Sequence, residues 1–334
     1  MNYSKYRPIA YEQELYQRFH ARTPAKVFDA HFHLMADDIP GVPADKVFDA
    51  WLASTNEVLG PNRVQGGLMM ASPKVCKTEE EMQSILQFVV DQAILHPEYV
   101  IGHVVRPEDD PAEVEKWLEK YPFIVALKPY RCYARAEDTY EADILDYAPE
   151  WMWELAEKWN LAVIIHLSHY GDMLKDPRNG EQIRYLSKKY PNAQMVLAHC
   201  AMGHHPDKLK SGLHYLEGLD NVWIDLSGVS EALSFIYIIK AFGTDKLFYG
   251  SDGYSFGQLF GRVMAMGGNF LGIHDDDQVE LPPDYHYQPL TNVCENVQAL
   301  YAAGDLCELT QQQWEDIFYN NADRLYNSRR RNKA

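Results

Sequence analysis

The sequence predicts an α/β fold, a (β/α)8 barrel of the TIM type with an N-terminal extension before it and C-terminal helices after it. Three observations carry that expectation. Short β-type runs alternate with helical patterns, which implies a parallel sheet with crossover helices. The runs number eight, the count at which such a sheet closes on itself. The first run is followed by no G-x-G-x-x-G, so a doubly wound open sheet lacks its usual fingerprint.

Residues 1–26 form the extension, polar and tyrosine-rich, with no apolar segment of the kind a secretion signal needs. The β-type runs are residues 27–34, 67–72, 100–106, 123–130, 161–168, 195–202, 222–228 and 247–253. Between them lie helix-start signals. Thr78-Glu79-Glu80-Glu81 reads as a capping box before residues 82–95. Pro111 precedes the pattern of 113–120, and Pro149-Glu150 opens 151–159. Ser230-Glu231 precedes 232–241, which stops at Gly243. The longest irregular region is 267–289, with Asp275-Asp276-Asp277 and Pro282-Pro283, placed where a lid over the site would lie. A last helical pattern, through Trp314, Ile317 and Leu325, is expected to pack on the outside of the barrel. The barrel domain spans 27–328, and 329–334 is a basic, solvated tail.

Composition narrows the function. The chain has 334 residues and a formal net charge of −17, which argues against a nucleic-acid partner. No apolar run reaches the 18 residues a membrane span needs. Five scattered cysteines, without a C-x-x-C, fit reduced thiols in a cytoplasmic protein. The expected partner is a small-molecule substrate, and a homo-oligomer is left open.

The chemistry is expected at the C-terminal ends of the strands. Alternation on a strand puts residues i and i+2 on one face, so His31 and His33 in Phe28-Asp29-Ala30-His31-Phe32-His33 aim at the same point. Neutral imidazole is the commonest metal ligand, and the pair reads as half of a metal site. Other runs also end in polar groups: Lys128 on the fourth, His166 on the fifth, His199 on the sixth and Asp252 on the eighth. His204-His205 lies in a loop entering a helix and reads as structural. His169 is a candidate for lining the pocket; His103 and Arg106 on the third run are weaker ones. Trp151, Trp153 and Trp159 read as helix packing.

The order His-x-His, Lys, His, His, Asp resembles the amidohydrolase superfamily. The likeness is narrower to its amidohydrolase-related (amidohydrolase 2 type) barrels, which include hydrolases, lactonases and non-oxidative decarboxylases. Further matching pieces are Leu127-Lys128-Pro129-Tyr130, Leu197-Ala198-His199-Cys200, Asn221-Val222-Trp223-Ile224-Asp225-Leu226-Ser227, Tyr249-Gly250-Ser251-Asp252 and Asn320-Asn321-Ala322-Asp323-Arg324-Leu325-Tyr326. The resemblance implies that His31, His33 and His166 bind a divalent metal, zinc being favoured, with Asp252 as a further ligand or neighbour. Three nitrogens and a carboxylate suit a catalytic zinc. It implies metal-bound hydroxide attacking an ester, lactone or amide of a small polar or anionic molecule, with Asp252 moving the proton. His199 polarises the carbonyl, shuttles a proton or binds a second metal. Lys128 either bridges two metals as a carboxylated lysine or, in the favoured one-metal reading, binds substrate. Tyr130 and Arg131 are further substrate-binding candidates, with Tyr133 and Arg262 beside them. A non-oxidative decarboxylase is the alternative. It is disfavoured because Cys200-Ala201-Met202-Gly203 lacks the glycine-rich run associated with that activity. A non-catalytic metal-binding barrel is the third reading.

Overall fold

The computed structural model describes residues 10–36, 42–72, 76, 78–253, 262–266, 269–273 and 290–330. Its sheet has eight parallel strands in sequence order: β1 (Val27–Leu34), β2 (Val64–Ala71), β3 (Tyr99–Val105), β4 (Ile124–Pro129), β5 (Ala162–Ile165), β6 (Gln194–Leu197), β7 (Val222–Asp225) and β8 (Leu247–Phe248). The ring closes through backbone bonds between the two end strands. Ala30 N donates to Tyr249 O at 3.0 Å, Asp252 N to His31 O at 2.8 Å, and Phe32 bridges to Gly253 in parallel. The strand–helix alternation read from the sequence is therefore a (β/α)8 barrel.

The expected helix starts are present. Thr78 Oγ1 accepts from Glu81 N at 3.1 Å at the head of the helix Glu79–Leu95. Asp110, not recognised from the sequence, caps Pro111–Lys120 by accepting from Ala112 N at 2.9 Å. Pro149 stands at the N-cap of Glu150–Trp159, and the helix Ala232–Phe242 ends at Gly243 with φ 70°. The three tryptophans near 155 do serve packing. Trp153 is buried and donates to Ala148 O at 3.0 Å.

Side chains alternate between two cores. Those facing outward, such as Val27, Phe32, Leu127, Val163 and Ile224, join the helices in one large apolar cluster. Those facing inward fill the lumen: Phe28, Leu68, Val100, Val125, Ile164, Val196, Trp223 and Phe248, at least one from each strand. Three C-terminal residues, Ala322, Leu325 and Tyr326, belong to this lumen cluster. The Tyr326 ring stacks on Phe28 with centroids 6.1 Å apart, near the N-terminal ends of the strands. The helix Asn321–Tyr326 thus plugs the bottom of the barrel, which corrects the expectation that it packs outside. Trp314 and Ile317, upstream, do join the outer cluster. The helical period gives an apolar face but not the surface it meets, and an open lumen is the larger apolar target.

Both flanking segments touch the barrel. The extension is not free of the barrel, since Leu15, Tyr16 and Phe19 of the helix Ala10–Arg22 are buried in the outer cluster. Buried Glu12 accepts from Thr291 N at 2.8 Å, at the head of the helix Asn292–Leu306. Arg329, assigned to the solvated tail, is half-buried and donates to Leu325 O. The irregular region reads differently at its start, where Arg262–Met266 pairs antiparallel with Asn269–Ile273. Gly267-Gly268 between two β-type runs was the available hairpin signal. Asp275-Asp276-Asp277 and Pro282-Pro283 lie outside the described residues.

Candidate metal centre

A bulge in β1 sets the site. Asp29 pairs with Gly67 but Phe32 with Met69, so β1 carries one more residue than β2 across this step. The extra residue flips the alternation, putting His31 and His33 inside while Phe32 and Leu34 pack outward. Asp29 pins the bulge. Its Oδ1 accepts from His31 N at 3.3 Å and from Ser251 N at 2.8 Å, tying β1 to the segment that bears Asp252. Burial raises the Asp29 pKa to about 7 despite the Ser251 bonds.

The first-strand pair meets the last carboxylate as expected. His31 Nε2 lies 3.2 Å from His33 Nε2 and 3.5 Å from Asp252 Oδ1; His33 Nε2 lies 3.3 Å from the same oxygen. The far side of each ring fixes its tautomer. His31 Nδ1 is bonded to Asp225 Oδ2, and Asp225 Oδ1 accepts from Ser227 N at 2.7 Å. His33 Nδ1 faces Ala71 O at 3.3 Å and the Tyr130 hydroxyl at 3.1 Å. The hydroxyl donates to Ala71 O at 2.9 Å, so the ring nitrogen gives its proton to the phenol oxygen or the carbonyl. With both protons on Nδ1, two imidazole lone pairs and a carboxylate oxygen converge on one point. Such a set is repulsive by itself and complementary to a cation.

His199 stands across this point. One ligand atom from each of His31, His199 and Asp252 lies within 4.8 Å of the others. His166 reaches the cluster on the other side of His199, ring centroids 5.0 Å apart, and its Nδ1 is buried with no partner among the described residues. An orphaned imidazole nitrogen next to converging lone pairs fits a metal centre. Gly228, at φ +69°, passes close by: a Cβ there would sit 3.0 Å from His199 Nδ1 and 3.2 Å from Asp252 Oδ2.

Burial drives the electrostatics. It lowers the His31 and His166 pKa values well below 6.5, with Lys128 adding to the first and His199 to the second. Both rings are neutral at pH 7. Burial would raise Asp252, but His199, His33 and His31 outweigh it and bring the carboxyl down to about 2. Lys128 is 1% exposed at the end of β4, and burial pulls its pKa down to about 8 against the opposing pull of Asp225 and Asp252.

Tyr130, expected to bind substrate, is buried with its hydroxyl on His33 and Ala71. Arg131 is held between rings, 3.8 Å from the Tyr140 centroid and 5.1 Å from that of Tyr170. His103 lies outside the lumen against Trp117 at 5.2 Å, and Arg106 is paired with Glu79 and Asp109 at 2.5 and 2.6 Å. His204 is buried 6.5 Å from the His199 ring, at the edge of the cluster. Asp225 is the residue the sequence reading left without a role. Its signal was its place at the end of β7, in a piece already quoted for its likeness.

The sixth run does not continue as strand to 202. It ends at Leu197, and His199, Cys200, Ala201 and Met202 all have φ between 54° and 58°. This left-handed turn is closed by Gly203 N donating to His199 O at 2.8 Å. The segment lacks the glycines that suit such geometry, yet it adopts it.

The family model described as Amidohydrolase matches residues 28–327. The chain belongs to the amidohydrolase family. Membership makes it a metal-dependent, hydrolase-type enzyme, with the barrel already described. Among solved structures it resembles a probable 2-pyrone-4,6-dicarboxylic acid hydrolase from Acinetobacter baumannii with citric acid bound. Identity is 13%, over 90% of this chain and 99% of that one, with a TM-score of 0.54. It also resembles an amidohydrolase from Burkholderia multivorans with bound zinc (14% identity, 91% and 99% covered, TM-score 0.57). A third is 2,6-dihydroxybenzoate decarboxylase from Rhizobium (11% identity, 92% and 99% covered, TM-score 0.56). At these identities the likeness is one of fold. No curated protein matches the chain. The family and the His31, His199 and Asp252 group together indicate a divalent metal. No helix among the described residues is long and apolar enough to cross a membrane.

Proposed function

We propose that this amidohydrolase-family enzyme hydrolyses an ester, lactone or amide bond in a small anionic molecule, using one divalent cation, with zinc favoured. The observation that carries the reading is the convergence of His31 Nε2, His33 Nε2 and Asp252 Oδ1 within 3.2–3.5 Å. His31, His33, His166 and Asp252 would hold the ion. When bound, the ion acidifies water and polarises a carbonyl.

The chain's own groups do the rest. Asp252, kept ionised at neutral pH, takes a proton from the attacking water as its oxygen bonds to the carbonyl carbon. The same carboxyl returns that proton to the leaving oxygen or nitrogen as the carbon–heteroatom bond breaks. His199, bonded through Nδ1 to Ser227 O at 3.2 Å, presents its other nitrogen to the substrate oxygen. Lys128 supplies a buried positive charge, and Arg131 a second cation at the mouth. Both favour an anionic substrate. A carboxylated Lys128 would instead help to hold a second ion.

Decarboxylation is the second reading. The left-handed turn after His199 removes the argument against it, which rested on the missing glycines and not on backbone shape. A panel of lactones and aromatic carboxylic acids in 18O-labelled water separates the two. Hydrolysis puts one solvent oxygen into the product carboxylate. Release of carbon dioxide with no solvent oxygen in the organic product overturns the first reading.

A further inference from the structure

His169 has no part in the chemistry above, yet it is one of the most constrained side chains at the barrel mouth. It is 1% exposed and follows β5 by four residues. Its backbone is left-handed, at φ 57°, a conformation that histidine adopts at some cost. Both ring nitrogens face carboxylates: Nδ1 lies 3.2 Å from Glu141 Oε2, and Nε2 lies 3.0 Å from Asp143 Oδ1. Its backbone N also donates to Tyr140 O at 2.7 Å. Three bonds from one residue therefore fasten the segment 140–143, in the β4-to-β5 connection, to the loop after β5. Arg178 strengthens the joint, lying 3.2 Å from Glu141 and 2.8 Å from Asp176.

The fastened segment carries the cage around Arg131. Tyr140 lies on one guanidinium face at 3.8 Å. Arg131 Nε donates to Tyr170 Oη at 3.2 Å, and Tyr170, next in sequence to His169, stacks near His166 with centroids 6.1 Å apart. Tyr140 and Tyr170 meet edge to face at 5.1 Å. Neither Tyr140, which is 53% exposed, nor Tyr170 is placed by deep burial. What sets Tyr140 relative to Tyr170 is the His169 joint.

We propose that His169 is a positioning residue, a buried clip that fixes Tyr140 and Tyr170 around Arg131 and so preorganises the anion-binding side of the pocket. The inference rests on the reading above in which Arg131 meets an anionic group of the substrate. His169 touches no reacting atom, so its loss weakens anion binding and leaves the proton chemistry of Asp252 in place. A guanidinium freed from its cage must be reordered by each ligand it binds, and that ordering cost appears in affinity.

The test uses isophthalate as an anionic probe, with affinity measured by calorimetry on the full chain, and hydrogen exchange measured across 137–143. The variants are His169→Gln, the paired Glu141→Gln/Asp143→Asn, and Arg131→Gln. The expected result is that His169→Gln and the paired variant each weaken isophthalate by about tenfold and speed exchange in 137–143, with the thermal midpoint little changed. Arg131→Gln is expected to weaken the probe at least as much, without faster exchange. If Arg131→Gln weakens the probe but both clip variants bind it as the wild type does, the clip is overturned and the anion reading stands. If the wild type does not bind isophthalate, or Arg131→Gln binds it unchanged, the anion reading falls and the clip's functional role falls with it. The paired variant replaces half-exposed groups and keeps the answer available should His169→Gln fail to fold.

Discussion

Asp225 and Asp252 are the same chemical group in the same small space, and their surroundings drive them apart. Burial raises Asp225, with His199 and the Ser227 bonds offsetting only part of that rise, whereas Asp252 is brought down to about 2 by three imidazoles. The division of labour follows. Asp252 stays ionised to meet a cation and take a proton, while Asp225 orients His31 from behind. Asp225→Asn is expected to lower metal affinity by about 10- to 100-fold, read by chelator competition; unchanged affinity would reduce Asp225 to packing. His103 makes a different prediction. Burial lowers its pKa to about 4 from 6.5, so the fold accepts only the neutral ring. The unfolded chain binds a proton below 6.5 and the folded chain only below about 4. Stability therefore falls as pH drops through that window. The expected loss is about 3 kcal/mol, and His103→Phe should remove it from the pH dependence of urea unfolding. A variant with the same acid limb as the wild type would contradict this.

The turn after β6 is where an element departs most from what its residues favour. Four non-glycine residues in a row are left-handed, each at about 1–2 kcal/mol of strain. The turn brings His199 to Ser227, with Nδ1 3.1 Å from Oγ, and buries Cys200 and Ala201 in the outer core. Ala201→Gly is expected to stabilise the protein by up to about 1 kcal/mol in urea unfolding, since glycine takes this φ freely. A loss of that size would mean the turn is right-handed in solution. The sequence showed that His199 ends a strand, but not which way the chain leaves it. Apolar runs carry period and length, and the handedness of a turn lacking glycine is set by tertiary packing. The β1 bulge was hidden for the same reason: alternation alone predicted His31 and His33 on one face, and the extra residue before them turns that face into the lumen.

For the molecule as a whole, the barrel was legible because eight runs each ended in a turn or a polar group, and five of those groups matched one ordered set. The closure of its lower end was not. Tyr326 looks like any apolar position of a surface helix until the lumen offers it Phe28 and Phe248. Tyr326→Ala is expected to cost about 3–5 kcal/mol of stability, measured by denaturant unfolding, because its buried ring packs on Phe28 and Phe248 in the lumen. A cost below about 1 kcal/mol would return the helix to the outside surface. The site itself was read in its parts and not in its wiring. His31, His33, His199 and Asp252 were named from strand ends, while Asp225 and Asp29 emerged from contacts between strands far apart in sequence, and Tyr130, named for substrate, sits on His33. The most direct test of the central claim is an anomalous-difference map from crystals grown with zinc. The account predicts a single strong peak about 2.0–2.2 Å from His31 Nε2, His33 Nε2 and Asp252 Oδ1. A fully loaded crystal with its peak elsewhere, or with no peak at these three atoms, would contradict it.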